Sequence, residues 1–152
     1  MKKFRVAVLA NSKMNAPKFE GMPKDLWADL DSEKTVQSLV DAVRAGGHEA
    51  DFFEGNLSLV DKLPDYKPDI CFNICEGHFG DGREAHVPAI LEMLRIPYTG
   101  SKVMTLALAL DKPMTKRILT YHELPTPPFQ SFERVDEPLT EDMTFPMFVK
   151  PS

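Results

Sequence analysis

The stretch FRVAVLA, residues 4–10, is apolar at every position except Arg5 and shows no strict alternation of apolar and polar residues. Such a run predicts a β-strand that is covered on both faces. The stretches HEADFFE at 48–54 and DICFNIC at 69–75 predict two further strands. Because helical patterns separate the strands, the connections should cross over and the sheet should be parallel.

The helical patterns have clear starts and stops. Ser32 offers an N-cap oxygen before a stripe of valines and leucines, and Gly46 and Gly47 end that helix. A second apolar stripe predicts a helix over 83–94, and residues 96–99 predict a short fourth strand. Residues 1–101 are therefore predicted to form an α/β domain, an open parallel sheet with helices on both faces and a Rossmann-like plan.

After residue 101 the pattern changes. Helices are predicted at 103–110 and 112–122, the second capped by Asp111, and strands at 129–132 and 147–150. This α+β region, 102–152, has too few elements to bury its own core. We expect its apolar residues to be covered by a dimer partner, by a swapped strand or by the α/β domain; they are Phe129, Phe132, Phe145, Met147, Phe148 and Val149.

Two loops should meet at the carboxyl edge of the sheet. The first, 11–31, follows strand one and is long for a compact domain, and the second, 76–83, contains three glycines. Both loops follow parallel strands, so we expect them to shape a shared cleft. Glu76 and His78 make the second loop a candidate binding edge rather than a flexible turn.

Composition excludes several classes of protein. The 152 residues carry a formal net charge of -5, which argues against binding to nucleic acid or to an anionic membrane. No apolar run approaches the roughly 20 residues of a membrane span. The basic start followed by an apolar stretch is better explained by a buried strand than by a secretion signal, so the chain is predicted to be cytoplasmic.

The two cysteines are predicted to be small buried hydrophobes. Cys71 and Cys75 are four residues apart in a predicted strand, and this spacing places them about 13 Å apart, too far for a disulfide. No second pair of Cys or His residues completes a zinc site. Metal binding is therefore not expected at these positions.

Four motifs resemble D-alanine–D-alanine ligases of the ATP-grasp family in their order and spacing. They are Ile96–Ser101 (IPYTGS), Ala107–Lys116 (ALALDKPMTK), Leu124–Pro128 (LPTPP) and Phe145–Ser152 (FPMFVKPS). The strong resemblance covers residues 69–152, and the first 68 residues share only the strand–helix–strand plan. By this resemblance, 1–101 is a pre-ATP-grasp domain and 102–152 is the incomplete first part of an ATP-grasp domain.

The resemblance implies a ligase that joins two amino acids through an acyl-phosphate made from ATP, with Mg²⁺, in the supply of peptidoglycan precursor. Lys112 and Lys150 match the two family lysines that contact ATP phosphates. A lysine is a compact positive charge that can neutralise phosphate oxygens. The candidate substrate-side residues are Glu76, Gly77 and His78.

The sequence also departs from the family. Members carry a glutamate just after strand one that holds the substrate ammonium, whereas this loop begins Asn11–Asn15 (NSKMN) without a matching glutamate. Glu76 and Gly77 stand where the family has a His-Gly pair. D-alanine and a related amino acid or peptide amine therefore both stay open as the substrate.

The glycine-rich phosphate loop, the adenine pocket and the metal-binding carboxylates of the family are not found in the 152 residues. We therefore expect a truncated front part that is not catalytically competent alone, with no catalytic residue or metal ligand of its own and no ATP or Mg²⁺ bound. Two alternatives stay open. One is a non-catalytic α/β module that binds a small amino compound or a partner chain, and the other is a fragment from a disrupted reading frame.

Overall fold

The computed structural model describes residues 2–150. In this part of the chain it has three β-strands, five α-helices and one 3₁₀ turn at Lys13–Asn15. In chain order the elements are β1 (Arg5–Ala10), α1 (Glu33–Ala45), β2 (Glu49–Glu54), α2 (Leu59–Tyr66), β3 (Ile70–Asn73), α3 (Arg83–Leu94), α4 (Val103–Leu110) and α5 (Lys112–Tyr121). Pro151 and Ser152, which end the predicted 102–152 region and the last family motif, lie outside the described residues.

The sheet is parallel, with β1 in the centre and the order β2-β1-β3. Val8 of β1 pairs with Phe52 of β2 on one side and with Phe72 of β3 on the other. The predicted parallel arrangement of the strands at 4–10 and 69–75 is confirmed.

The central strand β1 is covered on both faces, as its continuous apolar pattern predicted. Val6 and Val8 belong to a core cluster on the α1 side, while Ala7 and Leu9 pack in a second cluster with residues of α2 and α3. Burying a valine or leucine side chain stabilises a fold by about 1.5–3 kcal/mol. The strand therefore anchors two cores, and helices lie on both faces of the sheet.

Helix α1 begins and ends where the sequence predicted. The Ser32 hydroxyl accepts a hydrogen bond from the Thr35 amide at 3.1 Å, and the chain leaves the helix at Gly46. Val36 and Val40 form the buried side of the helix. The cap satisfies one of the amides that every helix start leaves without an intrahelical partner.

Helix α2 was missed by the sequence analysis. It has only eight residues and contains Pro64, which is a helix-breaking signal in the sequence. Leu59 and Leu63 are fully buried, and Tyr66 packs at the edge of the same cluster. Tertiary burial of this side of the helix therefore outweighs the weak local signal.

The predicted fourth strand at 96–99 is reduced to a single parallel bridge between Cys71 and Tyr98. The Cys71 amide donates to the Pro97 carbonyl at 2.8 Å, and the Thr99 amide donates to the Cys71 carbonyl at 3.0 Å. Pairing stops there because the next contact uses a side chain: the Thr99 hydroxyl accepts from the Asn73 amide. The segment keeps its predicted place beside β3 without becoming a regular strand.

The strands predicted at 129–132 and 147–150 are absent, and residues 122–150 contain no helix or strand. Side chains hold this segment instead. The Lys116 ammonium donates to the Thr126 hydroxyl and the Pro127 carbonyl and lies over the Phe129 ring. A strand needs a neighbour to accept its hydrogen bonds, and residues 129–150 find none in the described part of the chain.

The apolar residues near residue 150 are not covered by the α/β domain. Phe145, Phe148 and Val149 are 81%, 94% and 98% exposed. The prediction that the α/β domain covers them is therefore wrong for these three residues. Cover by a dimer partner or by a swapped strand stays a prediction, as does the domain boundary at 101/102. No helix in residues 2–150 is long and apolar enough to cross a bilayer.

One buried side chain, Asn11, links the carboxyl ends of the strands. Its amide nitrogen donates to the Gly55 carbonyl at 3.0 Å, just after β2, and its amide oxygen accepts from the Gly77 N–H at 2.8 Å, after β3. Asn11 itself follows β1 and is only 1% exposed. The loops after β2 and β3 are thereby held to a single buried amide that follows β1.

We expect Asn11→Ala to lower the free energy of unfolding by at least about 2 kcal/mol, because it leaves a buried N–H and a buried carbonyl without partners. Asn15→Ala is the matched control, since that exposed amide contacts only the Glu54 carboxylate, and it should cost no more than about 1 kcal/mol. Urea unfolding followed by circular dichroism gives both values. Equal losses would contradict the anchoring role of Asn11.

Candidate functional site

The carboxyl edge of the sheet carries a cleft of about 340 Å³ between the two loops. The 11–31 loop contributes Leu26, Trp27, Asp29 and Leu30, and the second loop contributes Glu76 through Gly80, with Arg83 at the start of α3. Both loops therefore shape one cavity, and the predicted shared cleft is confirmed. Parallel sheets commonly bind their ligands at this edge.

Some acidic groups at this edge are already engaged by the protein. The Glu54 carboxylate accepts from the Ser12 amide at 3.1 Å and from the Asn15 side chain at 2.8 Å. The Ser12 hydroxyl donates to the Glu33 carboxylate at 3.2 Å. These contacts fix the turn after β1, so Glu54 and Glu33 hold the site together.

The carboxylates of Asp29 and Glu76, by contrast, make no hydrogen bond or ion pair with any other residue in 2–150. Burial raises the pKa of Glu76 above its usual range, and the negative charges of Glu84 and Asp29 raise it further, while the positive charge of Arg83 opposes them only in part. Such a carboxyl is under-neutralised in the protein, and a cation placed in the cleft would stabilise its charged form. The cleft therefore favours the binding of a positively charged group.

Aromatic rings form one wall of the cleft. The Trp27 ring stands edge-on to the His78 ring at 5.3 Å between centroids and to the Phe79 ring at 5.7 Å. The Trp27 indole N–H donates to the Pro17 carbonyl at 2.8 Å, which fixes the indole within its own loop. The long loop therefore contributes a held apolar surface to the cleft.

Gly77 allows the second loop to turn back on itself. It adopts a φ of +71°, and a Cβ at this position would overlap the backbone carbonyl of Arg83. Its N–H also donates a hydrogen bond to the side-chain oxygen of Asn11. Only glycine satisfies both conditions, because it has no Cβ and tolerates positive φ.

The candidate residues divide between two places. Glu76, Gly77 and His78 all line the cleft. Lys112 is the exposed first residue of α5, and Lys150 is exposed at the end of the described chain; neither lines the cleft. The proposed phosphate contacts of these two lysines therefore stay predictions.

The sequence analysis missed Trp27 and Arg83 as lining residues and did not separate Asp29 from the other acids of the first loop. The available signal was the single tryptophan of the chain, placed in an unusually long loop beside a sheet edge. Which of the four acids in that loop would face the cleft depends on the path of the loop, which has no periodic pattern.

The cysteines are free and buried, as predicted. Burial raises the pKa of the Cys71 thiol to about 12 and also raises that of Cys75, so both thiols stay protonated near neutral pH. No group of three or more potential metal ligands occurs among residues 2–150.

Named proteins are similar in sequence to most of this chain, although no family model matches it. The D-alanine–D-alanine ligase of Pelotomaculum thermopropionicum is 33% identical over 129 residues, which cover 78% of this chain and 40% of the relative. The D-alanine–D-alanine ligase of Francisella tularensis subsp. novicida is 36% identical over 123 residues, which cover 80% of this chain and 40% of the relative.

A solved structure has the same fold. The D-alanine–D-alanine ligase of Bacillus anthracis, in complex with ATP, superposes with a TM-score of 0.62 at 21% identity over 91% of this chain and 43% of the enzyme. The chain spans about 40% of the length of the curated relatives. It is related to the amino-terminal part of D-alanine–D-alanine ligases.

We expect Gly77→Ala to destabilise the protein more than Gly21→Ala. Both glycines have positive φ, +71° and +76°, but a Cβ at Gly21 meets nothing within 4 Å. Gly21→Ala should therefore cost only the left-handed strain of about 1–2 kcal/mol. Gly77→Ala adds the overlap with Arg83, a further cost of about 1–3 kcal/mol. Equal losses in urea unfolding would contradict the predicted overlap.

We expect Glu76→Gln to stabilise the protein at neutral pH. A raised pKa means that the folded state binds the proton more tightly than the unfolded state, so stability falls as pH rises above the ordinary value of 4.5. The variant should gain stability at pH 7, and the gain should vanish at about pH 3. Glu20→Gln, at an exposed loop position outside the cleft, controls for the loss of one negative charge. A gain independent of pH would contradict this prediction.

Proposed function

We propose that this relative of D-alanine–D-alanine ligases is the front part of an ATP-dependent ligase that joins two amino acids through an acyl-phosphate. The sequence matches to two such ligases support the reaction class. The observation that carries the proposal is the cleft at the carboxyl edge, which is lined by Asp29 and Glu76, two carboxylates without a partner among residues 2–150.

In this proposal the cleft holds the amino group of one substrate. An ammonium placed between Asp29 and Glu76 would stabilise the charged form of Glu76, which burial and the neighbouring negative charges disfavour. Glu76, Gly77 and His78 then form the substrate side of the site. The two loops orient the amine for reaction, and orientation of this kind supplies a large part of a ligase's rate enhancement.

ATP would be held by Lys112 and Lys150. Lys112 is the first residue of α5, where the positive end of the helix makes a lone cation unfavourable and a phosphate favourable. Lys150 adds a second exposed ammonium. Bound ATP would activate the carboxyl group of one amino acid, and these lysines would position its phosphates.

Mg²⁺ is proposed for the longer protein only. Residues 2–150 contain no cluster of three acidic, histidine or cysteine ligands, so the residues present do not form a metal site. No step is assigned to the metal in this chain. For the same reason we propose that the chain alone neither holds Mg-ATP tightly nor completes the reaction.

The proposed setting is the cytoplasm, with free amino acids as substrates and a peptidoglycan precursor as the product. The negative net charge and the acidic cleft suit a small cationic group better than nucleic acid or an anionic membrane. A homodimer is proposed as the cover for the exposed apolar residues near residue 150.

The second candidate function is a module that binds an amino compound without catalysis. It is favoured by one observation: among the described residues, all those that line the cleft lie between Leu26 and Arg83. The two functions differ in ATP dependence, because a binding module would take its ligand with the same affinity with and without Mg-ATP.

In a longer protein that carries this sequence, we expect Lys150→Ala to lower ATP turnover roughly 10- to 100-fold, the loss of one charge-assisted contact. Phosphate release from Mg-ATP measures it. Lys62→Ala, an exposed lysine of α2 away from the cleft, is the control and should leave turnover unchanged. Unchanged turnover in Lys150→Ala would contradict the proposed contact between Lys150 and the ATP phosphates.

A further inference from the structure

The cleft has charges of both signs. Asp29 and Glu76 supply carboxylates and Arg83 supplies a guanidinium. None of the three side chains has a hydrogen-bond or ion-pair partner among residues 2–150. An α-amino acid carries an ammonium and a carboxylate on adjacent atoms, and this arrangement offers a counter-charge to each.

His78 adds a polar group that the protein leaves unsatisfied. His78 lines the same cleft, and its buried Nε2 atom lacks a hydrogen-bond partner within the described chain. Buried polar atoms are nearly always paired, and an orphaned one at a cavity is explained by a ligand group or a water that completes it. In the tautomer that carries its proton on Nε2, a small movement of the His78 ring would let it donate to the carboxylate of an amino acid placed beside Arg83.

The remaining surface of the cleft is apolar and aromatic. Trp27 and Phe79 meet edge to face, and Phe79 is 56% exposed, so the protein covers only part of its ring. A methyl side chain would cover little of this surface, whereas an aromatic or long aliphatic side chain could pack against both rings. Apolar binding energy grows with the area removed from water.

The aromatic wall is held by the fold. The two ends of the 11–31 loop are joined by a parallel bridge between Ser12 and Asp31, and Leu30 is buried. The indole is fixed by the Pro17 carbonyl. A rigid ring loses little conformational entropy on binding, so Trp27 can act as a preformed surface.

We propose that the cleft binds a free α-amino acid whose side chain is aromatic or large and apolar, and that Trp27 is the residue that determines this specificity. The ammonium lies at Asp29 and Glu76, the carboxylate at Arg83 and His78, and the side chain against Trp27 and Phe79. The inference rests on the proposed function, because it names the substrate class of that site.

Calorimetric titration of the 152-residue chain tests the proposal without ATP. Racemic phenylalanine should bind roughly 10- to 100-fold more tightly than racemic alanine, since a buried aromatic ring adds that much affinity. Racemic probes make the result independent of configuration. Phenethylamine, which lacks the carboxylate, and 3-phenylpropionate, which lacks the ammonium, should each bind at least about 10-fold more weakly than phenylalanine.

A variant pair assigns the effect to Trp27. Trp27→Leu should lower the affinity for phenylalanine about 10-fold and leave that for alanine nearly unchanged. Phe132→Leu, an aromatic outside the cleft, is the control. Circular dichroism confirms that each variant is folded. Because Trp27 is the single tryptophan, its fluorescence in the unmodified chain should also change on binding of phenylalanine.

The proposal is overturned if alanine binds as tightly as phenylalanine, if Trp27→Leu weakens both equally, or if neither amino acid binds at tens of millimolar. These outcomes leave the ligase proposal to its own test, because ATP turnover in Lys150→Ala does not depend on the aromatic wall. Conversely, an absence of ATP turnover in the unmodified longer protein would remove the ligase and leave the preference for phenylalanine to the binding module, the second candidate function.

Discussion

The side-chain amide of Asn11 lies where the three parallel strands end, and it donates to one loop and accepts from the other. Parallel strands supply no hairpin to hold their ends together, because each connection crosses to the opposite edge of the sheet. A buried amide that uses both its donor and its acceptor replaces that missing link. Loss of either partner would leave polar atoms in a dry environment, so the positions of the loops after β2 and β3 depend on one another.

This link separates the acids at the edge into two kinds. Glu54 and Glu33 lie next to the Asn11 turn and receive hydrogen bonds from it, so their charge is used within the fold. Asp29, in the loop after β1, and Glu76, in the loop after β3, make no such contacts in residues 2–150. The cavity thus holds two carboxylates without a partner among residues 2–150, beside the guanidinium of Arg83. A binding site formed in this way is costly to the empty protein and is relieved by a ligand of opposite charge.

Local patterns were sufficient to predict the sheet, helices α1 and α3, and the meeting of the two loops. FRVAVLA is apolar on both faces, and the Ser32 cap marks a helix start that needs no tertiary contact. Helix α2 could not be predicted in this way, because Pro64 weakens its local signal and the helix is stabilised by the burial of Leu59 and Leu63. The strands at 129–132 and 147–150 failed for the opposite reason: their sequence suits a strand, but the described chain offers them no neighbour. Within the site, glycines and acids pointed to the second loop, whereas the place of Trp27 depends on the path of an aperiodic loop.

The bridge between Ser12 and Asp31 means that the long first loop leaves and re-enters the sheet edge at nearly the same place. A segment with joined ends can change its length and composition while the strand before it and the helix after it keep their positions. The sequence of residues 13–30 can therefore change while the sheet and helix α1 keep their positions. Related proteins with this fold could acquire a new ligand preference through substitutions in this loop alone, without any change to the sheet.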